Sequence, residues 1–166
     1  MEQPKRFYVD RTICVGCKTC ELRCAVERSS VSKNLASAVR ETPLARPRVY
    51  VHSDGLEPVT VHCRMCEDCS CVRACSTGAV TLDKESGCSY IIPDKCIMCW
   101  MCVTACPYGV IAPAAEKLAA DKCDRCFAMD EPVCMSACPT GAISLLSPPE
   151  IEEKNRIRRI ATMNDD

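Results

Sequence analysis

Cys96-Ile-Met-Cys99-Trp-Met-Cys102-Val-Thr-Ala-Cys106-Pro107 spaces four thiols by gaps of two, two and three residues and ends on a proline. The same gaps recur at Cys14, Cys17, Cys20 and Cys24. Two looser copies complete the set. Cys123, Cys126, Cys134 and Cys138 widen the middle gap to seven residues and again end on a proline, Pro139. Cys63 and Cys66 are followed by Cys69 or Cys71 and then by Cys75. One small unit used four times therefore organises the chain. Outside these groups the 166 residues carry little that builds a conventional core. The hydrophobic share of 48% includes all 18 cysteines. Without them it falls to roughly 37%, with two Phe and one Trp. Metal or disulfides must staple such a chain in place of aliphatic packing.

The spacing selects among the staples. Three thiolates at C-x2-C-x2-C come from one tight loop that wraps a [4Fe–4S] cube, and a fourth Cys, often before Pro, completes the motif. Structural zinc uses two C-x2-C pairs separated by a longer spacer. A disulfide framework needs an oxidising compartment, and the charged N-terminus has no apolar run of the kind a secretory leader requires. Haem attachment needs C-x-x-C-H, and no Cys here precedes a His. Four clusters use sixteen of the 18 cysteines and leave two over. Cys88 fits no group. Between Cys69 and Cys71, only Cys71 reproduces the final gap of three residues before Cys75. The predicted metal ligands are therefore Cys14, Cys17, Cys20, Cys24, Cys63, Cys66, Cys71, Cys75, Cys96, Cys99, Cys102, Cys106, Cys123, Cys126, Cys134 and Cys138. Cys69 and Cys88 are read as structural thiols near a cluster. His52 and His62 are read as strand residues, because thiols already close every site. Met98, Trp100 and Met101, between ligands, are expected to shield a cluster from water.

Other classes drop out. No apolar run reaches the length of a membrane span. The formal charge of −1 gives no basic footprint for nucleic acid. There is no Gly-rich phosphate loop, and the chain has six Gly in all. No open metal position and no Ser/Cys–His pairing is visible, so no catalytic residue is assigned.

Between the motifs the chain reads as α+β with short elements. Residues 6–9 and 142–146 are strands able to pair. Residues 48–52 and 59–62 alternate around Asp54-Gly55 as a hairpin, and residues 79–82 and 89–92 form a second. The tail of each motif is expected to begin a short helix. Residues 26–47, without cysteine, read as a loop insertion holding one short helix, either functional or a covering loop. After Pro148-Pro149, residues 150–160 read as a helix with acidic residues in its first turn.

The four motifs in this order resemble the four-cluster ferredoxin subunits of multi-subunit oxidoreductases, among them dimethyl sulfoxide reductase, formate dehydrogenase and hydrogenase complexes. The stretch from Cys63 to Cys75 looks like that family's second motif, and Cys123 to Cys138 with Pro-Thr-Gly-Ala-Ile looks like its fourth. Cys-Glu-Leu-Arg-Cys-Ala-Val-Glu-Arg-Ser at 20–29, Ser-Lys-Asn-Leu at 32–35 and Pro-Arg-Val at 47–49 further resemble small cytoplasmic polyferredoxins serving carbon monoxide dehydrogenase or tungsten aldehyde oxidoreductase. The resemblance implies two nested bacterial two-[4Fe–4S] ferredoxin-like units plus a C-terminal helix. The outer unit comprises residues 1–30 with 113–147, and the inner unit residues 63–112. Residues 31–62 form an insertion with a β-hairpin, and residues 148–166 a docking tail. It also implies that Cys14, Cys17 and Cys20 share a cluster with Cys138, and Cys123, Cys126 and Cys134 share one with Cys24. Cys63, Cys66 and Cys71 pair likewise with Cys106, and Cys96, Cys99 and Cys102 with Cys75. Ala25 and Ser76 stand where the family often has Pro.

The expected function is a cytoplasmic, non-catalytic electron-transfer subunit with four [4Fe–4S] clusters. It would serve an aldehyde oxidoreductase or carbon monoxide dehydrogenase partner, or else a hydrogenase or formate dehydrogenase. The onward acceptor would be an NAD-reducing flavoprotein. A free diffusible polyferredoxin and an iron or redox sensor are the alternatives. Four clusters at about −2 each would bring the formal charge of −1 to roughly −9.

Overall fold

The computed structural model describes residues 4–53, 58–114 and 118–163. Among the described residues eight short strands and six α-helices are interspersed along the chain. β1 (Arg6–Val9) pairs antiparallel with β8 (Ile143–Leu146), joining the two ends of the sequence. The other strands form local hairpins: β2 (Val49–His52) with β3 (Val59–His62), β4 (Val80–Leu82) with β5 (Ser89–Ile91), and β6 (Ile111–Ala114) with β7 (Ala119–Lys122). Every sheet is two-stranded. The first two hairpins match the alternation in sequence, while the Asp54-Gly55 turn lies outside the described residues. The third hairpin was not expected. Its strands are rich in Ala and contain Pro113, both unfavourable in a strand.

Each motif feeds a helix, as expected. Cys20 and Cys24 lie on α1 (Thr19–Arg28), and α2 (Leu35–Ala38) is the short helix of the insertion. Cys71 lies on α3 (Ser70–Arg73), Cys102 on α4 (Met101–Ala105) and Cys134 on α5 (Val133–Ser136). The helix α1 packs against α5, and α3 against α4. Three tails close in the same way. Gly78, Gly109 and Gly141, all at φ near +60 to +67°, each donate from the backbone to the carbonyl of the Cys three residues earlier at 3.2 Å. After Cys24 there is no such glycine, and α1 runs on to Arg28.

The core is built partly from the thiols themselves. One buried cluster joins Cys63, Met65, Cys102 and Cys123 to Val80, Val110, Ile111 and Ala120. A second joins Cys20, Cys24 and Cys134 to Val49, Val51 and Ile143. Phe7 packs against both. The insertion folds back on Glu41, whose carboxylate accepts from the Ser29 hydroxyl at 2.8 Å and from the Ser30 amide at 3.0 Å. Asn34 caps α2 by accepting from the Ser37 amide at 2.9 Å.

The C-terminal helix α6 (Pro148–Met163) is longer than its sequence pattern suggested. Ser147 and Glu150 form a box at its start: the Ser147 amide and hydroxyl both donate to the Glu150 carboxylate, at 2.7 and 2.6 Å. Ile157, Ile160 and Met163 on this helix are exposed. Among the described residues no helix is long and apolar enough to cross a membrane.

Candidate metal centres

The four cysteine groups share a backbone device. The residue just before the second Cys is left-handed in all of them: Gly16 at φ 65°, Met65 at 49°, Met98 at 57° and Arg125 at 61°. In the two evenly spaced groups the residue just after the second Cys is left-handed as well, Lys18 at 61° and Trp100 at 60°. A left-handed residue following a right-handed or bridging one swings successive amides toward one side, making a concave nest that suits anions and iron–sulfur groups. Only Gly16 announces this conformation in sequence. The others hold it at about 1–2 kcal/mol each, a strain typical of functional loops.

The thiols of different groups come together across the chain. The Cys138 thiolate acts electrostatically on Cys17 and Cys20, and Cys126 acts on Cys24. In the other half, Cys106 acts on Cys66 and Cys71, and Cys75 acts on Cys102 together with Cys96. Cys123 feels both Cys63 and Cys24, and Cys134 feels Cys20, so neighbouring groups are also in reach of each other. Burial pushes the thiols of Cys20 and Cys71 up to about 11 and that of Cys123 up to about 12. Cys134 moves in the same direction for the same reason, reinforced by Cys123 and Cys24. Buried thiols of this kind become thiolates only against a strong positive charge, which iron supplies. Three half-exposed or exposed thiols go the other way. The Thr19 hydroxyl holds Cys17 below its ordinary value; in Cys75 and Cys138, burial is outweighed by local donors that include Thr77 and Thr140.

Of the predicted ligands, Cys17 and Cys99 are exposed, whereas Cys20, Cys24, Cys63, Cys102, Cys123, Cys126 and Cys134 are buried. Cys69 is also buried and its thiol donates to the Cys66 carbonyl at 2.7 Å, while Cys88 has no exposed surface. Met98 and Met101 are 37% and 53% exposed. Trp100 alone of the three packs on the core.

Around Cys24, Cys123, Cys126 and Cys134 lies a set of polar groups that sequence reading missed. Asp124 accepts from Arg28 at 2.7 Å and from Arg48 at 2.9 Å, and Arg48 also pairs with Asp121. These partners are far apart in sequence, so no local pattern reveals them. Burial opposes the Arg28 charge, but Asp124 and Cys126 more than offset it and its pKa is raised. Three N–H groups already point at the thiols: the Arg48 amide at Cys24 (3.2 Å), the Arg125 amide at Cys123 (3.4 Å) and an Arg28 guanidinium nitrogen at Cys126 (3.6 Å). Among the described residues the buried side-chain nitrogens without a hydrogen-bond partner are Arg28 Nε, Arg48 Nε and His62 Nε2. All three side chains line the cavity that these four cysteines line. Burial, with Arg64 adding to it, pushes the His62 imidazole down to about 4. A second cavity is lined by Cys63, Cys66, Cys69, Cys71 and Cys106. The buried Lys122 closes it, donating to Ser89 Oγ and to the Cys123 carbonyl at 2.9 Å each.

Among the described residues no three His, Cys, Asp or Glu side chains gather closely enough to hold a single metal ion. A four-iron cube gives each thiolate its own iron, so its ligands stand further apart than those of one zinc ion. Thiols in interleaved sets, inward-turned amides and orphaned N–H donors together fit iron–sulfur cubes.

Comparison with known proteins agrees. Residues 56–147 match the family model described as "4Fe-4S dicluster domain". The chain is similar to the electron transport protein HydN of Escherichia coli (strain K12), 36% identical with 95% of this chain and 97% of that protein covered. It is also similar to an iron-sulfur protein of Rhodospirillum rubrum, 33% identical with 84% and 80% covered. A third relative is the probable anaerobic dimethyl sulfoxide reductase chain YnfG of Escherichia coli (strain K12), 30% identical with 90% and 76% covered. With its cysteine groups folded into nests and its full length shared with HydN, this chain belongs to the ferredoxin-like family of iron–sulfur electron transport proteins built on the 4Fe-4S dicluster domain.

Proposed function

We propose that this chain is a cytoplasmic electron-transfer subunit that carries four [4Fe–4S] clusters and performs no substrate chemistry of its own. The observation that carries this reading is that the fourth cysteines reach across to other groups electrostatically: Cys138 acts on Cys17 and Cys20, Cys126 on Cys24, Cys106 on Cys66 and Cys71, and Cys75 on Cys102. It supports the ligand sets Cys14, Cys17, Cys20, Cys138; Cys24, Cys123, Cys126, Cys134; Cys63, Cys66, Cys71, Cys106; and Cys75, Cys96, Cys99, Cys102. The first two sets make the outer unit, residues 1–30 with 113–147, and the last two the inner unit, residues 63–112. Residues 31–62 brace the outer unit through Arg48, and residues 148–166 form a docking tail. When bound, the clusters supply one-electron oxidation and reduction. The chain spaces them, buries all four thiols of the set Cys24, Cys123, Cys126 and Cys134, and leaves the end sets near the surface at Cys17 and Cys99.

Exposed apolar side chains lie in both end loops, Ile13 and Val15 in one, Ile97 and Met101 in the other. Such a rim suits contact with a redox partner at either end. The partner is a catalytic oxidoreductase of the tungsten aldehyde oxidoreductase or carbon monoxide dehydrogenase type, ahead of hydrogenase or formate dehydrogenase. The onward acceptor is an NAD-reducing flavoprotein. The stretches that support this choice have structural duties: Glu21 accepts from the Val51 amide, Ser29 holds Glu41 and Asn34 caps α2. They set the shape of the insertion, and a partner would read that shape.

The test is anaerobic analysis of iron and acid-labile sulfide. About sixteen of each per chain is expected. A value near eight overturns the four-cluster reading. Cys71→Ser is expected to lose about a quarter of the iron and Cys69→Ser none; the reverse outcome would exchange their roles.

A further inference from the structure

The three side chains that carry the orphaned nitrogens named above all line one cavity, that of Cys24, Cys123, Cys126 and Cys134. A buried donor left unpaired costs about 1–3 kcal/mol. Three at one place mean that something in the cavity accepts from them, and on the reading just given that acceptor is cluster sulfur. His62 is the clearest of the three. It is 3% exposed, ends β3, and is held edge-on to Phe7, with ring centroids 4.9 Å apart at 81°. The Phe7 ring fixes the imidazole plane without satisfying Nε2. Arg28 and Arg48 are held just as firmly, because Asp124 grips their terminal nitrogens and leaves each Nε free.

We propose that His62 Nε2–H, with Arg28 Nε–H and Arg48 Nε–H, donates to the sulfurs of the cluster bound by Cys24, Cys123, Cys126 and Cys134 and makes it the highest-potential cluster of the four. Reduction adds negative charge to the cluster, and a donor to sulfur binds the reduced state more strongly than the oxidised one. Burial works the other way, since a dry site resists added charge. The donors decide the balance here because they number six: these three side-chain groups and the three N–H contacts already made to Cys24, Cys123 and Cys126. Other predicted ligands also receive backbone donors, Cys75 from Val80, Thr77 and Ala79 and Cys138 from Thr140, Ala142 and Ile143, but among the described residues the buried side-chain nitrogens without a partner all belong to this site. The two arginines are matched by Asp121 and Asp124, so donor geometry and not net charge produces the effect. His62, Arg28 and Arg48 thus tune this cluster for electron storage: an electron entering at either end comes to rest on this middle site.

The inference rests on the four-cluster reading, and one experiment separates the two. Protein labelled with 15N-histidine is reduced stepwise under anaerobic conditions and followed by pulsed EPR, with iron content measured on the same sample. The first cluster to be reduced is expected to show a 15N coupling. The chain has two histidines, and the other, His52, is exposed. His62→Leu is expected to abolish the coupling and weaken electron binding at that cluster by about tenfold. His62→Gln keeps an N–H donor and is expected to recover most of the loss with no 15N coupling. Arg28→Lys keeps the charge but removes Nε, and is expected to lower the same cluster's potential. A first-reduced cluster without 15N coupling in iron-replete protein would overturn the proposal, as would equal shifts for Leu and Gln. Low iron would instead overturn the four-cluster reading. Should His62→Leu fail to fold, the coupling in the unaltered protein still decides.

Discussion

At Asp124 a single carboxylate holds two half-buried arginine side chains and sits next to a predicted ligand. Its side chain is 20% exposed, and those of Arg28 and Arg48 are 19% and 15% exposed. Asp124→Ala leaves Arg28 in a half-buried site without its carboxylate. Anaerobic thermal denaturation is expected to show a loss of about 3 kcal/mol, and Asp124→Asn a smaller loss because the amide still accepts one hydrogen bond. Gly16 tests a different energy. At φ 65° a Cβ there would meet Pro58 Cβ at 3.5 Å, an ordinary contact, so space is available and only backbone strain is added. Gly16→Ala is expected to destabilise by about 1 kcal/mol by the same measurement. The equivalent residues Met65, Met98 and Arg125 already carry that strain. Thiol spacing was therefore legible at this scale and loop geometry was not. A cysteine gap is a count along the chain, whereas a left-handed methionine leaves no mark in composition.

Among the elements, the insertion is held by a charge that titrates. The Ser29 hydroxyl, with the amides of Val31 and Ser30, holds the Glu41 carboxyl below its ordinary value of 4.5. A carboxyl with a lowered folded value stabilises above its unfolded value and loses that stabilisation as pH falls through the folded one. Hydrogen exchange at the Ser30 and Val31 amides is expected to keep its protection at the ordinary carboxyl value of 4.5 and to lose it at lower pH. In Glu41→Gln that protection should be low at every pH and should not change across this range. The hairpins β2–β3 and β4–β5 were readable because apolar residues alternate with polar ones and a segment with Asp and Gly divides each pair. The hairpin β6–β7 escaped because Ala-rich strands alternate weakly and Pro113 argues against pairing. The start of α6 was legible from Pro149 and the acidic first turn, and the Ser147–Glu150 box explains why it begins where it does.

For the whole molecule, four two-stranded sheets and a core containing Cys20, Cys63, Cys102, Cys123 and Cys134 leave little to hold the chain once iron is gone. An isolated two-stranded hairpin is marginal in water. Removal of iron and sulfide is expected to abolish most far-UV circular dichroism, and reconstitution to restore it. A well-folded metal-free protein would contradict the role given to the clusters as core. The sequence reading reached this conclusion from the shortage of Phe, Trp and aliphatic residues. It did not reach the Arg28–Asp124–Arg48 group or the buried Lys122, because partners dozens of residues apart become neighbours only after the ends of the chain have met.

That meeting of β1 with β8 also fixes the order in which the molecule is finished. Val9 leaves the ribosome 134 residues before its partner Ile143. At ordinary translation speeds the interval is on the order of ten seconds. Through that time the first cysteine group has been made, while the strand that closes its end of the molecule does not yet exist. The inner hairpins need no such wait, since each closes within a few residues of its own turn. Maturation thus begins in the middle of the chain and ends at its two termini, and the thiols nearest the start are unprotected for longest. Oxygen or a wrong metal during synthesis would strike there first.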